Sequence, residues 1–138
     1  MRWITARTAE FKNPPGVAAP VGAYSHVAIV PANDRFIYVS GQVAIDESGA
    51  LVGKGDAAAQ AEQVFKNIHR ILTGCGAGIG DIVKLNWYFR SMGDRAVIIA
   101  ERDRFLGTHR PASTAVEVSR LVNEDWLIEV DCVAAVRG

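Results

Sequence analysis

The sequence has few residues that could support redox or metal chemistry. It contains two cysteines and three histidines among 138 residues. No C-x-x-C motif and no metal-ligand spacing connects them. We therefore expect Cys75 and Cys132 to be free thiols in a reducing cytoplasm, and we expect no metal and no cofactor.

The sequence also lacks a net charge and a long hydrophobic run. Fifteen basic and fifteen acidic side chains cancel, so no overall field attracts a phosphate backbone, and nucleic acid is not an expected partner. No apolar run reaches the roughly 18 residues of a membrane span. Charged residues are spread through residues 1–15, which does not fit a secretory signal. A neutral surface does permit self-association.

The length fits one domain, which we expect to span residues 1–138. Residues 1–21 are interpreted as an extended lead-in, because Pro14, Pro15 and Pro20 disfavour both a helix and a strand ladder. A glycine-rich run at 74–80 is interpreted as a loop. It follows a helix, whereas a phosphate-binding loop precedes one.

Hydrophobic periodicity predicts the order strands, helix, strand, helix and two strands, with the two helices on one face of a sheet. The first helix has a clear apolar stripe over 56–73, with Asp56 as a cap at its start and Gly74 at its end. The second helix is predicted at about 94–106, capped by Asp94. Two helices can cover only one face of a sheet of five or six strands. The predicted strands are 27–30, 36–40, 51–52, 82–90, 113–120 and 126–136.

The last predicted strand is apolar on both faces. Ile128, Val130 and Cys132 alternate on one face, and Leu127 and Val133 lie on the other. A strand of this kind is normally covered on both sides. No further element remains to cover the second face, so we expect the chain to bury it against other copies of itself.

Three features of the chain could contribute to a site, and each also has a purely structural explanation. Tyr24 at a loop-to-strand junction can offer its hydroxyl to a ligand or simply pack. Gly41 can allow a ligand to approach closely or can form a bulge. Glu129 lies in an apolar run, where a carboxylate can have a raised pKa and exchange protons with water. The alternative is a structural carboxylate that is hydrogen-bonded to the backbone or to an arginine such as Arg120.

Several short motifs follow one another in a recognisable order. They are Gly22–Ser25, Val39–Gln42, the helix face of Gln60, Gln63 and Asn67, Gly74 with Asp81–Lys84, Pro111–Leu121, and Ile128–Val130. From about Gly22 to the C-terminus the chain resembles the RidA/YjgF family on these residues. The resemblance implies a chorismate-mutase-like α+β fold with one mixed sheet and two helices on one of its faces. It also implies a homotrimer and a small-metabolite pocket at each subunit interface.

The resemblance also implies roles for individual residues. In deaminating members, an arginine grips the carboxylate of an enamine or imine, and a bound water hydrolyses it to a keto acid and ammonia. Glu129 matches the partner of that water and is the expected catalytic residue. The expected substrate-binding residues are Tyr24, Ser40, Gly41, Ser113, Thr114 and Ala115.

Three positions depart from the family pattern. Ser113 stands where the arginine is expected, Ala115 replaces a frequent cysteine, and a pocket asparagine falls near Ile98. Losing the guanidinium removes a contact worth about 1.5–3 kcal/mol, or roughly ten- to a hundred-fold in binding. Arg110 precedes Pro111 and should project elsewhere. We therefore expect a pocket that lacks this anion clamp.

Four functional hypotheses follow. The first is a trimer that hydrolyses a small metabolite other than a simple 2-imino acid, through a water held by Glu129. The second is a non-catalytic ligand-binding or chaperone-like trimer. The third is ordinary imine deamination that uses another cation. The fourth, RNA cleavage, is disfavoured by the neutral charge.

Overall fold

The computed structural model of the protein describes residues 9–138, which form six strands and two α-helices. Short 3-10 turns at Ile79–Asp81 and Met92–Asp94 precede the fourth strand and the second helix. The helices are α1 (Ala57–Gly74) and α2 (Arg95–Leu106). The strands are β1 (Glu10–Lys12), β2 (Val27–Ile29), β3 (Arg35–Gln42), β4 (Ile82–Phe89), β5 (Ala112–Glu117) and β6 (Ile128–Val136).

The main sheet has four strands in the order β3-β6-β4-β5. Only β4 and β5 run parallel, and α2 makes the crossover between them, as a parallel connection requires. The other neighbours are antiparallel. The predicted α+β class with one mixed sheet and two helices is confirmed, although five or six strands were expected.

Two predicted strands are missing from this sheet. The segment predicted at 51–52 forms only an isolated bridge between Leu51 and Ile45, and the strand predicted at 27–30 lies in a second, small sheet. β2 pairs antiparallel with β1, with Phe11 opposite Ala28. The extended lead-in was predicted for residues 1–21, of which residues 1–8 lie outside the described residues. Its described part contains a strand, because the prolines begin only after Lys12. This ribbon packs on the sheet through a cluster that includes Ala9, Phe11 and Ala135. The prediction that no element covers the second face was wrong at this end of the sheet.

Helix α1 forms as its sequence pattern predicts. The Asp56 side chain accepts a hydrogen bond from the Ala59 backbone N–H at 3.1 Å, which confirms the predicted cap. Gly74 is the last helical residue and Cys75 is the C-cap. The Asp94 side chain makes no capping bond to α2, contrary to expectation. The buried stripe of α1 includes Val64, Phe65, Ile68 and Leu72.

Strand β4 alternates between the two faces of the sheet. Leu85, Trp87 and Phe89 are buried in the core beneath the helices, as predicted. Val83 was predicted on that face but belongs to the opposite cluster. The reason is a bulge between Ile82 and Lys84, since one extra residue reverses the alternation.

The face of the sheet that points away from the helices is called the open face below. On β6 it is only half apolar, because Glu129 and Asp131 precede Val133 there. Leu127 packs on the main core instead, so the predicted second apolar row was partly wrong. Tyr38 is 75% exposed on this face and Phe36 is 48% exposed. Within residues 9–138, no helix combines the length and apolar character needed to cross a bilayer.

Candidate functional site

The Glu129 carboxylate lies against the backbone of Gly41. The ladder between β3 and β6 is irregular between Val39 and Gln42, where the chain passes Glu129. A Cβ on Gly41 would lie 2.0 Å from Glu129 Oε2 and 2.8 Å from its Cδ. Glycine is required at 41 for this close approach, not for a turn. Ser40 precedes it, and its carbonyl accepts a bond from Gln42 Nε2 at 3.2 Å.

Glu129 is half-buried on the open face, and its carboxylate has no hydrogen bond or ion pair within residues 9–138. Its neighbours on this face are polar. Asn86 Nδ2 donates to Asp131 Oδ1 at 2.9 Å. Burial, the charge and hydrogen bond of Asp131, and the charge of Glu129 raise the pKa of Tyr88. The alternative of a Glu129–Arg120 pair is not seen, which leaves the carboxylate able to bind a water.

A cavity of about 260 Å³ lies between the sheet and α2, and it is called the α2 cavity below. The segment that carries Tyr24 is joined to the start of β5, because the Ser25 hydroxyl donates to the Arg110 carbonyl at 2.6 Å and Ser25 N–H donates to the Pro111 carbonyl. The cavity is lined by Val21, Gly22, Tyr24, Trp87, Phe89, Arg95, Ile99, Arg102, Ser113 and Ala115.

The predicted site residues fall into two groups on opposite faces of the sheet. Ser113 pairs with Leu85 and Ala115 with Trp87, so both face the helices. Thr114 pairs with Asn86 on the open face and accepts a bond from Lys84 Nζ at 2.8 Å. Tyr24, Ser113 and Ala115 therefore meet in the α2 cavity. Thr114, Gly41 and Glu129 lie across the sheet from them.

The Ser113 hydroxyl is engaged by a tryptophan. Trp87 Nε1–H donates to Ser113 Oγ at 3.0 Å, and Trp87 is only 4% exposed. The hydroxyl thus satisfies a buried indole donor. Within the described residues no histidine bonds to it, so it has no base that would make it a nucleophile.

Sequence reasoning missed the contribution of α2 to the cavity. Arg95, Ile99 and Arg102 lie at i, i+4 and i+7, so they form one stripe on the helix. The spacing could be recognised in the sequence, but it did not indicate which surface the stripe would contact. Ile98, where a pocket asparagine was expected, is fully buried in the core, and Ile99 reaches the cavity in its place.

The sequence led us to expect a pocket that lacks a cation. The wall of the cavity that α2 forms does not meet this expectation. The Arg102 guanidinium carbon lies 5.3 Å from the centre of the Trp87 ring, whose N–H bonds to Ser113. Arg110 behaves as expected and projects elsewhere. Its Nη1 donates to the carbonyls of Gly107 and His109, and the residue does not line the cavity.

Thiol and metal chemistry find no support in the described residues. Cys75 is exposed and Cys132 is buried, and both are free. Burial, followed by the charge of Asp131, raises the pKa of Cys132 to about 12, so the thiolate is not accessible near neutral pH. Over residues 9–138, no group of three or more His, Cys, Asp and Glu side chains could hold a metal ion.

Comparison with known proteins gives consistent matches. The family model described as Endoribonuclease L-PSP matches residues 16–136. A RutC family protein of Pyrococcus abyssi is 40% identical over 115 residues, 83% of this chain and 87% of the relative. The 3-aminoacrylate deaminase RutC of Acinetobacter baylyi is 35% identical over 125 residues, 89% of this chain and 94% of the relative. The crystal structure of the Rid family protein YyfB from Yersinia pestis superposes with a TM-score of 0.86 at 30% identity, covering 94% of this chain and all of the other.

Proposed function

Because the chain belongs to the RidA/YjgF family, we propose that it hydrolyses small enamine- or imine-type metabolites by means of a bound water. The relative from Acinetobacter baylyi is named a deaminase of 3-aminoacrylate, which is an enamine. In the proposed reaction an enamine first takes a proton on carbon to give the imine. Water then adds to the C=N carbon, and the C–N bond breaks to leave a carbonyl compound and ammonia.

The observation that carries this proposal is the Glu129 carboxylate held against Gly41. It is half-buried, has no hydrogen bond or ion pair in the described part of the chain, and rests where only a glycine leaves room. A carboxylate in this state can accept a proton from an attacking water and return it to the departing nitrogen. We assign Glu129 that role, with Gly41 and Ser40 bordering the place of the water.

The two groups of site residues support a pocket shared between copies. In one copy the sheet separates Ser113 and Ala115 from Glu129. A second copy could bring its open face to the α2 cavity of the first. Such an interface joins two different patches, so it runs head to tail, and it forms a ring when the rotation between copies closes. We propose that the ring is a homotrimer, with the exposed Phe36 and Tyr38 buried inside it.

Simple 2-imino acids are proposed to be poor substrates. At the position of the family arginine, Ser113 offers a hydroxyl that already accepts a bond from Trp87. It has no charge with which to hold a carboxylate at that point of the wall. The preferred substrate therefore differs from a 2-imino acid in where its anionic or polar group lies.

The test is hydrolysis by Glu129→Gln. Glutamine keeps the size of the side chain but cannot take a proton, so we expect a loss of about 100-fold or more in kcat/KM. Ammonia release is followed with the enamine or imine that the wild type hydrolyses fastest. Glu47→Gln, on an exposed turn, is the matched control and should keep wild-type activity. An unchanged rate in Glu129→Gln, with the same sedimentation as the wild type, would show that Glu129 has a structural and not a catalytic role.

A ligand-binding protein without turnover is the second candidate. The specific observation in its favour is Ser113, which removes the charged group that the deaminating members use. Binding of an enamine analogue with no ammonia release from any substrate of the class would support it over hydrolysis. RNA cleavage is not proposed, because the net charge is zero.

A further inference from the structure

We infer that Arg102 on α2 is the anion-binding group of the α2 cavity, so that this site takes a small carboxylate with an apolar or unsaturated body. The inference rests on the proposed function only in treating the cavity as part of the substrate pocket. The inference differs from the family pattern in the wall of the cavity that binds the ligand. The anionic group is gripped from the helix side, and not from β5, where Ser113 stands.

The Arg102 guanidinium is held in place but is not saturated. The residue is 8% exposed. Its Nε and Nη2 donate to Asp103 Oδ1 at 3.0 and 2.6 Å, while Nη1 has no hydrogen-bond partner within residues 9–138. The guanidinium plane is also restrained by the Trp87 ring, 5.3 Å from its carbon. A planar donor fixed in this way loses little freedom when it binds a carboxylate.

The charges around the cavity favour an anion. The lining that one copy contributes includes two arginines and no acidic side chain. Asp103, which binds Arg102, has a side chain that is 53% exposed. The pair is half-exposed and therefore weak, so Asp103 competes little with a ligand carboxylate that binds the free Nη1 of Arg102. Arg95, two turns earlier on the same stripe, adds positive charge at the exposed end of the helix.

The other lining side chains determine which kind of ligand body the cavity can accommodate. Trp87, Phe89 and Ile99 supply apolar surface, and Tyr24 adds an aromatic wall with a hydroxyl. The volume of about 260 Å³ is just below the roughly 300 Å³ at which ligand pockets usually begin. A compact planar carboxylate fits this description, with its charge on Arg102 and its face along the aromatic side chains.

The experiment compares benzoate with benzamide, which have the same shape but differ in charge. Binding is measured by titration, with the NMR shift of the Trp87 indole N–H as the signal. We expect benzoate to bind at least about tenfold more tightly than benzamide, since a hydrogen bond to a charged partner is stronger by this order. Equal binding of the two probes, or no binding of benzoate, would overturn the inference.

Variants then identify the group responsible. Arg102→Met should remove the preference for benzoate, while Arg104→Met, on the same helix but outside the cavity, should keep it. Asp103→Asn should tighten benzoate binding, because it removes the competing carboxylate. A purely structural Arg102 would not produce that effect. If Arg102→Met fails to fold, Asp103→Asn decides, and unchanged benzoate affinity in that variant would overturn the inference.

The same titration separates this inference from the proposed function. Benzoate cannot be hydrolysed, so its binding does not depend on turnover. Glu129→Gln should abolish ammonia release and leave the benzoate preference intact. Loss of the preference in Arg102→Met, together with unchanged hydrolysis in Glu129→Gln, would support the anion site and contradict the hydrolytic role. An unchanged preference in Arg102→Met, together with lost hydrolysis in Glu129→Gln, would support the hydrolytic role and contradict the anion site.

Discussion

The substitution Gln60→Leu tests the polar contact that ties α1 to the loop before β6. Gln60 is completely buried. Its Nε2 donates to the carbonyls of Gly53 and Asp125 at 3.1 and 2.9 Å, and its Oε1 accepts from the Leu127 N–H at 2.8 Å. One side chain therefore satisfies three backbone groups of partly buried residues.

The cost of the substitution follows from which of these groups lose every partner. The Gly53 carbonyl keeps a second bond, from the Asp56 N–H at 2.9 Å. The Asp125 carbonyl and the Leu127 N–H have no replacement among the contacts of the described residues. Each buried group without a partner costs about 1–3 kcal/mol. We expect Gln60→Leu to lower the free energy of unfolding by about 3 kcal/mol.

Urea unfolding at one fixed protein concentration measures this loss, since association would couple stability to concentration. Gln63→Leu is the matched control on the same helix. It removes a single side-chain bond, from Gln63 Nε2 to Asn67 Oδ1 at 2.8 Å, and should cost about 1 kcal/mol. Equal losses in the two variants, or a loss below about 1 kcal/mol in Gln60→Leu, would refute the reasoning that burial of unpaired backbone groups dominates.

Three further predictions concern the site and the assembly. Gly41→Ala should lower kcat/KM by about 100-fold with little loss of stability, because its Cβ would displace the Glu129 carboxylate from a position 2.0 Å away. Gly74→Ala, where nothing lies within 4 Å, should keep the rate, and full activity in Gly41→Ala would show that the carboxylate position is unimportant. Tyr38→Glu should convert the proposed trimer to single subunits in sedimentation, and sedimentation identical to that of the wild type would mean that the open face is not buried. Ser113→Arg should raise 2-iminopropionate hydrolysis in a coupled amino-acid oxidase assay, where no gain would mean that the pocket has diverged further.

Local pattern was enough to predict the helices and the central strands. The apolar stripe of α1 and its Asp56 cap depend on residues within one or two turns of each other, as does the alternation of Leu85, Trp87 and Phe89 in β4. The errors arose where distant segments meet. The pairing of β1 with β2 joins residues about 17 positions apart along the chain, and the bulge beside Val83 is a feature of the pairing between β4 and β6.

The candidate site divides in the same way between sequence and tertiary structure. Order and spacing of short motifs were sufficient to identify the family and to single out Ser113 and Glu129. They did not reveal that these two lie on opposite faces of the sheet, because the face depends on strand register. Nor did they reveal Arg102, whose stripe on α2 meets Trp87 only when the β4–α2–β5 crossover packs onto the sheet. Residue type and spacing are properties of the chain itself, whereas the neighbours of a side chain depend on how separate elements pack together.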